Sequence, residues 1–240
     1  MIKLAISGCQ GRMGQRITAL ALYDKGFKIS ALLENKNRPD VPLLSHNIPV
    51  NFEDTALRAS DVLIEFTTPE ATILHLKACR EYGVNMVIGT TGFTKTQITQ
   101  IKKASSKIAI VFSSNMSVGV NLVFGLIRQA AQITGRDYAI TLSETHHVHK
   151  KDAPSGTAKT MAELAEQYAK TMVKDIASIR EGEVIGDHTI TFESPVDLIS
   201  IHHHAKTRDI FAEGALVAAK FLFKKKKGLF NMQDVLGLKK

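Results

Sequence analysis

The stretch AISGCQGRMGQR, residues 5–16, joins an apolar run to a helical pattern through three glycines. Gly8, Gly11 and Gly14 follow the apolar run IKLAIS (2–7) with the spacing G-x-x-G-x-x-G, a variant of the dinucleotide-binding fingerprint. There the first glycine permits a tight turn, the second lets backbone approach a pyrophosphate, and the third lets the helix pack on the strand. The helix N-terminus adds amide donors and a positive dipole end. The stretch therefore predicts a phosphate-binding turn.

A second nucleotide signal ends the next apolar run, FKISALLE (27–34). Glu34 stands 20 residues after the third glycine, where an acid can bind the ribose hydroxyls of NAD. Asn35 follows it, which favours NAD over NADP because a 2′-phosphate would meet a carboxylate without an adjacent cation. Lys36 and Arg38 are near enough to weaken that preference. The alternative is a structural glycine turn in an α/β domain that binds no nucleotide.

Strand and helix patterns alternate through the first half of the chain. The predicted strands are 2–7, 27–34, 61–67, a run beginning at Asn85, and 107–115, and the helices between them begin at Arg12, Pro69 and Thr94. Such alternation predicts a parallel sheet with helices on both faces. Two loops at predicted strand ends, GTTGF (89–93) and SSNMS (113–117), are placed where open α/β sheets bind ligands, although ordinary turns would explain either one alone.

The pattern changes after Met116. A long apolar helix (117–134), a strand (137–145), a helix (155–173) and β-like segments (176–194 and 196–206) predict a second α+β domain with a mixed or antiparallel sheet. The chain returns to helix at 208–223. We therefore expect one domain at 1–117 and 208–240 and another at 118–207.

Titratable groups crowd the segment ETHHVHKKDAPSGTA, residues 144–158. Three histidines and two lysines precede a turn, and Ser155 is a good N-cap for a helix that begins at Gly156 and Thr157. Cationic side chains and helix amides then converge, which suits a carboxylate or phosphate ligand. Histidine and lysine also supply protons near neutral pH.

Other interpretations of this segment stay open. A metal site is one, but the H-H-x-H pattern lacks the usual ligand spacing, and a solvated polar loop is another. The run IHHHAK (201–206) places His202 and His204 on one face of a strand and His203 on the other. It predicts a polar strand near the site, with or without a direct role.

Composition narrows the class of protein. The 240 residues are 44% hydrophobic and 22% charged, with two cysteines, Cys9 and Cys79. These values predict a globular, cytoplasmic protein without a disulfide framework, signal peptide or membrane span. Of the net charge of +8, the segment 220–240 carries +6, and the run 224–227 predicts a solvated loop. No nucleic-acid recognition motif accompanies this charge, so nucleic acid and membrane partners are not expected.

Seven motifs occur in the order found in one family: GCQGRMG, EFTTPEATILHL, VIGTTGF, SSNMSVGVN, ETHHVHKKDAPSGTA, REGEVIGDHTITF and GLFNMQDVLGL. Over nearly its whole length the chain resembles the bacterial 4-hydroxy-tetrahydrodipicolinate (dihydrodipicolinate) reductases of diaminopimelate and lysine biosynthesis. The histidine–lysine motif is highly specific to that family, whereas the glycine fingerprint is not.

The resemblance implies a Rossmann domain completed by the C-terminal helix and a mixed-sheet domain that builds a homotetramer. It implies a catalytic histidine at His146 and a proton donor at Lys150, acting on a small dicarboxylate. Substrate would bind His147, Ser155, Gly156 and Thr157. NADH or NADPH would bind Gly8, Cys9, Gln10, Gly11, Arg12, Met13, Glu34, Gly89, Thr90, Thr91, Ser113, Ser114, Asn115 and Met116. No metal is implied.

Two departures and two alternatives accompany the resemblance. Many members have arginine where this chain has Asn35, which favours NADH. The segment before Arg180 is shorter than in many members, which predicts a trimmed sheet or altered oligomer contacts. The alternatives are a reductase of another dicarboxylate, which a substrate panel separates, and a nucleotide-sensing or nucleic-acid-binding protein, which predicts salt-sensitive binding.

Overall fold

A computed structural model describes residues 1–38 and 40–238. Its strands are β1 Ile2–Ser7, β2 Phe27–Leu33, β3 Leu44–Ser45, β4 Ile48–Asn51, β5 Val62–Glu65, β6 Asn85–Ile88, β7 Ala109–Phe112, β8 Ala139–His146, β9 Val173–Arg180, β10 Asp187–Glu193, β11 Leu198–His204 and β12 Gly228–Phe230. Its helices are α1 Arg12–Tyr23, α2 Pro69–Tyr82, α3 Lys95–Ala104, α4 Val118–Thr134, α5 Gly156–Ala169, α6 Asp209–Phe223 and α7 Met232–Val235, with a 3-10 helix at Asp54–Ala59.

The described residues form two compact units. Unit 1 comprises Met1–Ser117 and the chain from Phe211 onward, and unit 2 comprises Val118–Ile210. Among the described residues, no helix is both long enough and apolar enough to cross a membrane.

The sheet of unit 1 has the order β12-β7-β6-β5-β1-β2-β4-β3. Every pairing is parallel except the β3–β4 hairpin. Because β2 and β5 flank β1 on opposite sides, the strand order reverses beside β1, and ligands bind at the carboxyl ends of strands at such a switch point. The prediction of a parallel sheet with helices on both faces is confirmed.

Alternate residues of the strands supply two cores, one on each face of this sheet. Ile64 packs in the core that includes Ile17 of α1, while its neighbour Leu63 packs in the core that includes Leu76 of α2 and Ile101 of α3. Burial of each of these aliphatic side chains contributes about 1.5–3 kcal/mol relative to an exposed one. Strands buried on both faces explain the continuous apolar runs of the sequence.

Helix α2 shows how the local sequence sets the limits of an element. The side chain of Thr68 accepts a hydrogen bond from the amide of Ala71, and Pro69 occupies the first turn, where its missing N–H costs nothing. The helix ends at Gly83, whose φ of 73° is left-handed.

The sheet of unit 2 is mixed, as predicted. Its order is β11-β10-β8-β9, with β8 and β9 parallel and the other pairs antiparallel. The core combines Ile140 and Leu142 of β8 and Phe192 of β10 with Phe124 of α4 and Met161 of α5. The opposite face of β8 carries Thr141, Ser143 and Thr145.

Several details differ from the sequence predictions. The helix predicted for 155–173 ends at Ala169, because Lys170 adopts a left-handed φ of 57° and Val173 already begins β9. His146 is the last residue of β8 rather than the first beyond it. Strand β12, which pairs in parallel with β7, was not predicted. The exposed lysines 224–227 form the expected loop before it.

Candidate active site

The glycine turn of unit 1 leaves room only for backbone. Gly8 has a φ of 68°, and a Cβ there would lie 2.9 Å from the carbonyl oxygen of Phe66. The amide of Gly11 donates to the Gly8 carbonyl at 2.9 Å, which closes the turn. A Cβ on Gly14 would overlap the backbone of Gly8 and Cys9. Close approach therefore requires glycine at positions 8 and 14, whereas a Cβ on Gly11 would meet only the Gly8 carbonyl oxygen, at 3.1 Å.

A cleft of about 840 Å³ opens beside this turn. Gly8, Gly11 and Glu34 line it. The Glu34 carboxylate accepts from the amides of Gln10 and Asn35 at 3.0 Å and pairs with the Arg38 guanidinium at 3.2 Å. These bonds fix the carboxylate at the cleft wall, where an acid meets ribose hydroxyls in dinucleotide-binding folds.

The other residues predicted to bind cofactor divide into exposed and buried positions. The side chain of Arg12 is exposed at the start of α1, whereas Cys9, Thr90 and Met116 are buried. Burial raises the pKa of the Cys9 thiol to about 11. These three positions can therefore offer a ligand backbone groups but not their side chains. The remainder are exposed or partly buried: Gln10, Met13, Gly89, Thr91, Ser113, Ser114 and Asn115.

The arrangement fits a dinucleotide. It combines a glycine cradle that any Cβ at Gly8 would obstruct, the N-terminus of α1 and an anchored carboxylate on one cleft. Among the described residues, no side chain caps the N-terminus of α1, where Gly11 is the cap. Phosphate-binding helix termini have this form, because backbone amides point at the anion.

A buried carboxylate–imidazole pair below the cleft was missed by the sequence reasoning. Glu65 ends β5 with no exposure, and one of its oxygens lies 2.6 Å from Nδ1 of His75. Burial by itself would lower the pKa of His75, but the hydrogen bond and charge of Glu65, with Asp54, raise it overall. Ser7 also contacts Nδ1, at 3.2 Å. The pair ties the ends of β1 and β5 to α2.

In unit 2, strand β8 carries the predicted catalytic histidine. Every second residue of this strand faces the core. Glu144 and His146 therefore lie on the same buried face as Ile140 and Leu142. Glu144 bonds to Nδ1 of His146 through one oxygen. Its other oxygen accepts from Arg180 Nη1 at 3.0 Å and from the amide of Ser155 at 3.3 Å.

The pKa shifts of Glu144 and His146 indicate which of the two is charged. Burial raises the pKa of Glu144, but hydrogen bonds from Ser178, His146 and Arg180 lower it overall. Burial lowers the pKa of His146, and the partly compensating bond to Glu144 does not restore it. We therefore assign an ionised Glu144 and a neutral His146. A carboxylate can only accept, so the proton of His146 is on Nδ1.

Lys150 lies in the loop after β8. Its ammonium is 2.8 Å from the Asp152 carboxylate and its side chain is 22% exposed. Arg180 donates to the carbonyl of Lys150 at 3.3 Å and to that of Asp152 at 2.5 Å. The same guanidinium therefore holds the loop of the predicted proton donor and the carboxylate behind the predicted catalytic histidine.

Ser155 caps α5, as the sequence indicates. Its hydroxyl accepts from the amide of Ala158 and contacts Nε2 of His188, both at 3.1 Å, and the residue is buried. The side chain therefore supports the helix rather than facing a ligand. Gly156, which follows it, is exposed. Thr157 is partly buried in the same turn.

The remaining histidines lie at the edges of this region. His147 is partly buried, and its ring centroid is 5.9 Å from that of His149. On β11, His202 and His204 share the exposed face and contact Asp187, while His203 is partly buried on the other face. The predicted alternation of this run is confirmed. The hydrogen bonds of His202 and His204 go to Thr189 and Asp187, respectively.

The site contains three groups of a type that binds metals. Ligand atoms of Glu144, His146 and His188 lie within 4.8 Å of one another. However, the carboxylate already pairs with Arg180, whose guanidinium supplies a positive charge at the place where a metal would be bound. The geometry therefore favours a hydrogen-bonded network over a metal centre.

Burial of His188 should make the free energy of unfolding depend on pH. Burial lowers its pKa to about 4, so the unfolded chain binds more protons than the folded protein between about pH 6.5 and pH 4. We expect the free energy of unfolding to fall by about 3 kcal/mol from this group as the pH decreases through that range. Denaturant unfolding at pH 7 and pH 4.5 should show a smaller decrease in His188→Asn than in the parent protein. An equal decrease in both proteins would contradict this assignment, and His149→Asn, at an exposed histidine, is the control.

The fold and the two sites define a two-domain oxidoreductase that uses a pyridine nucleotide. Residues 2–116 match the family described as "Dihydrodipicolinate reductase, N-terminus", and residues 119–236 match "Dihydrodipicolinate reductase, C-terminus". The chain belongs to the dihydrodipicolinate reductase family.

Individual relatives agree over the full length. The 4-hydroxy-tetrahydrodipicolinate reductase of Nitrosomonas eutropha is 41% identical over 269 residues, covering 100% of this chain and 99% of the relative. That of Laribacter hongkongensis is 41% identical over 265 residues, with 99% of each covered. The solved dipicolinate-bound dihydrodipicolinate reductase from Paenisporosarcina sp. TG-14 is 25% identical, with a TM-score of 0.84 and 98% of both chains covered. A diaminopimelate dehydrogenase from C. glutamicum, 12% identical at a TM-score of 0.60, shares the fold.

Proposed function

We propose that the protein reduces 4-hydroxy-tetrahydrodipicolinate to tetrahydrodipicolinate with NADH or NADPH, in diaminopimelate and lysine biosynthesis. Membership of the family supports the reaction. The observation that carries it in the structure is the network of unit 2, where Glu144 and Arg180 hold His146 and the Lys150 loop. A carboxylate is a suitable ligand for the Lys150 ammonium and for the N-terminus of α5, where Gly156 is exposed.

The overall reaction consumes the 4-hydroxy substrate, the reduced nicotinamide and one proton, and releases the reduced product, the oxidised nicotinamide and water. After the 4-hydroxyl has left as water, together with a proton from the adjacent ring carbon, the bound cofactor would supply a hydride for C4 of the resulting conjugated imine. His147 and the amides of Gly156 and Thr157 would bind the two carboxylates. Lys150 would give the proton that quenches the enamine-like charge left on the substrate.

The charge states of His146 and Lys150 suggest different roles for these two residues. Neutral His146 carries its proton on the side of Glu144, so Nε2 presents a lone pair. At neutral pH this imidazole is a better hydrogen-bond acceptor than a proton donor. The ammonium of Lys150 is then the stronger candidate for the donor, with His146 orienting the substrate.

The position of the transferred hydride tests this function. Reduction with NADH that carries deuterium at both C4 positions of the nicotinamide should give tetrahydrodipicolinate with one deuterium at C4, detected by mass spectrometry and NMR. Deuterium at another carbon, or recovered in the solvent, would contradict hydride transfer to C4. A panel of other cyclic dicarboxylates separates this reaction from that of a related reductase.

We further propose that NADH is the preferred cofactor. Glu34 is fixed toward the cleft and would bind the 2′-hydroxyl of NADH, while a 2′-phosphate would meet this carboxylate. The Arg38 guanidinium, 3.2 Å from Glu34, could turn to such a phosphate, so NADPH would still be used. Lys36 also lines the cleft.

Replacement of Glu34 with glutamine tests the cofactor preference. Loss of hydrogen bonds to a charged acceptor costs about 1.5–3 kcal/mol, so we expect KM for NADH to rise about 10–100-fold. KM for NADPH should change much less, because the repulsion of its 2′-phosphate is removed together with the acceptor. Equal effects on both cofactors would contradict this role. Glu53→Gln, at another acid of the cleft lining, is the control.

We also propose a cytoplasmic homotetramer built by unit 2. The sheet face away from α4 and α5 is consistent with this, because Ile179 and Leu198 are 46% and 58% exposed there. Light scattering coupled to gel filtration measures the mass directly, and Leu198→Asp should reduce it if this face is the contact.

A further inference from the structure

Glu144 is the feature of unit 2 that the proposed reaction leaves unexplained. Its side chain has no exposure, yet it is an acid that follows the apolar core residues Ile140 and Leu142 on the inward face of the strand. An ionised carboxylate is costly to bury unless it is paired and hydrogen-bonded. Here four groups compensate it: Nδ1 of His146, Nη1 of Arg180, the amide of Ser155 and the hydroxyl of Ser178.

Each of these bonds fixes a different part of the site. The bond to Nδ1 fixes the ring orientation and the tautomer of His146. The bond to the Ser155 amide holds the residue that caps α5. Arg180 connects the same carboxylate to the carbonyls of Lys150 and Asp152, at 3.3 and 2.5 Å. The ion pair between the buried Glu144 carboxylate and the partly exposed Arg180 therefore ties three parts of the site together.

We propose that Glu144 and Arg180 form a positioning pair that holds His146 in the Nδ1–H tautomer and fixes the loop of Lys150. This inference rests on the proposed reaction for its kinetic consequences, but not for the tautomer itself. Glu144 acts through His146 and touches no reacting atom, so it is a positioning residue.

Replacement of Glu144 with glutamine should invert the tautomer. Arg180 and the Ser155 amide both donate to the same oxygen, so the amide oxygen of the glutamine would take that position. The NH2 group would then face Nδ1 of His146, which must become an acceptor, and the imidazole proton moves to Nε2. A residue of nearly the same size would thus reverse the hydrogen bonding presented to the substrate.

The titration of His146 should change in a defined direction. The charged groups that face it are Glu144 on its own strand, Lys150 in the following loop, Arg180 on β9 and His188 on β10, whose ring centroid is 5.0 Å away. Glu144 raises the pKa of His146, whereas Lys150 and Arg180 lower it. Without the carboxylate, the pKa of His146 should fall. The acidic limb of the pH–rate profile, where kcat depends on the protonation of His146, should then move to lower pH.

The experiment compares the parent protein with Glu144→Gln and the matched control Glu183→Gln. Glu183 also bonds a histidine, since its carboxylate is 3.1 Å from Nε2 of His149, but both side chains are exposed. The 15N chemical shifts of the ring nitrogens give the tautomer of His146. Steady-state kinetics from pH 5 to pH 9 give kcat and KM, and NADH fluorescence and binding of pyridine-2,6-dicarboxylate report the folded state.

We expect a proton on Nδ1 of His146 in the parent protein and on Nε2 in Glu144→Gln. In the variant kcat should fall by up to about 10⁴-fold, the loss expected when a catalytic histidine is held in the wrong tautomer, with a smaller change in KM and an acid-shifted profile. Glu183→Gln should match the parent protein. An unchanged tautomer in Glu144→Gln, or a lower kcat with an unchanged pH profile, would overturn the proposal.

Failure of the variant to fold and failure of the proposed function can both be distinguished from failure of the positioning pair. If Glu144→Gln does not fold, the tautomer of His146 in the parent protein still tests the positioning pair. A proton on Nε2 of the parent protein would contradict the proposal. If the parent protein shows the Nδ1–H tautomer but reduces no substrate, the proposed function fails and the positioning pair stands.

Discussion

Replacement of Lys150 with alanine is expected to lower kcat by about 10²–10⁴-fold, the usual contribution of general acid catalysis. His146 is neutral and directs its proton at Glu144, so it cannot readily replace the missing ammonium. NADH binding should be retained, because the glycine turn and Glu34 belong to unit 1. Stopped-flow measurement of NADH oxidation gives the turnover, and fluorescence titration gives the NADH affinity.

Lys174→Ala is the control for this variant, since it removes an exposed lysine from β9 in the same unit. Its turnover should equal that of the parent protein. Unchanged turnover in Lys150→Ala, from protein that binds NADH normally, would remove Lys150 from the reaction and return the donor role to His146.

The second large effect is expected at Gly14. A Cβ there would overlap the backbone of Gly8 and Cys9, so α1 must move away from β1 or the glycine turn must change. Overpacking of this kind costs about 1–3 kcal/mol and occasionally more, and backbone atoms cannot yield as a flexible side chain does. We expect Gly14→Ala to lose about 3 kcal/mol of unfolding free energy, with a large loss of NADH affinity because the amides at the N-terminus of α1 are displaced.

Gly26→Ala provides a comparison with the same chemical change. Its Cβ would meet side-chain atoms of Asp24 at 3.0 Å and Lys220 at 3.4 Å, which can move. Urea unfolding should therefore show a small difference for Gly26→Ala and a large one for Gly14→Ala. Parent-like stability and NADH affinity in Gly14→Ala would show that the turn tolerates a side chain.

Much of the fold could be predicted from local patterns. Buried strands such as β1 and β5 are short apolar runs, and α2 is bounded by a proline and a left-handed glycine that the sequence displays. Other elements depend on tertiary contacts. Strand β12 is only three residues, Gly228–Phe230, and it exists because β7 offers a free edge. The end of α5 at Lys170 involves a left-handed lysine, which no common sequence signal predicts.

The candidate site was predicted in part. The residues of the 144–158 segment lie together because they are consecutive, and Ser155 was predicted as a cap from its place before a helical run. Arg180 and His188 come from β9 and β10, and only the sheet register brings them to Glu144 and Ser155. One signal was available: the alternation in AITLSETH places Glu144 and His146 on the buried face with Ile140 and Leu142. A buried acid beside a histidine would then have been expected.

Reduction of 4-hydroxy-tetrahydrodipicolinate by this protein can be measured directly. Its most direct test generates the substrate in situ from pyruvate and aspartate semialdehyde with the preceding synthase, then adds the protein with NADH or NADPH and follows the loss of reduced-nicotinamide absorbance. We expect oxidation that requires substrate and Lys150 and is faster with NADH than with NADPH. Absence of oxidation with both cofactors, from folded protein that binds NADH, would contradict the proposed function and leave a nucleotide-binding unit without its assigned reaction.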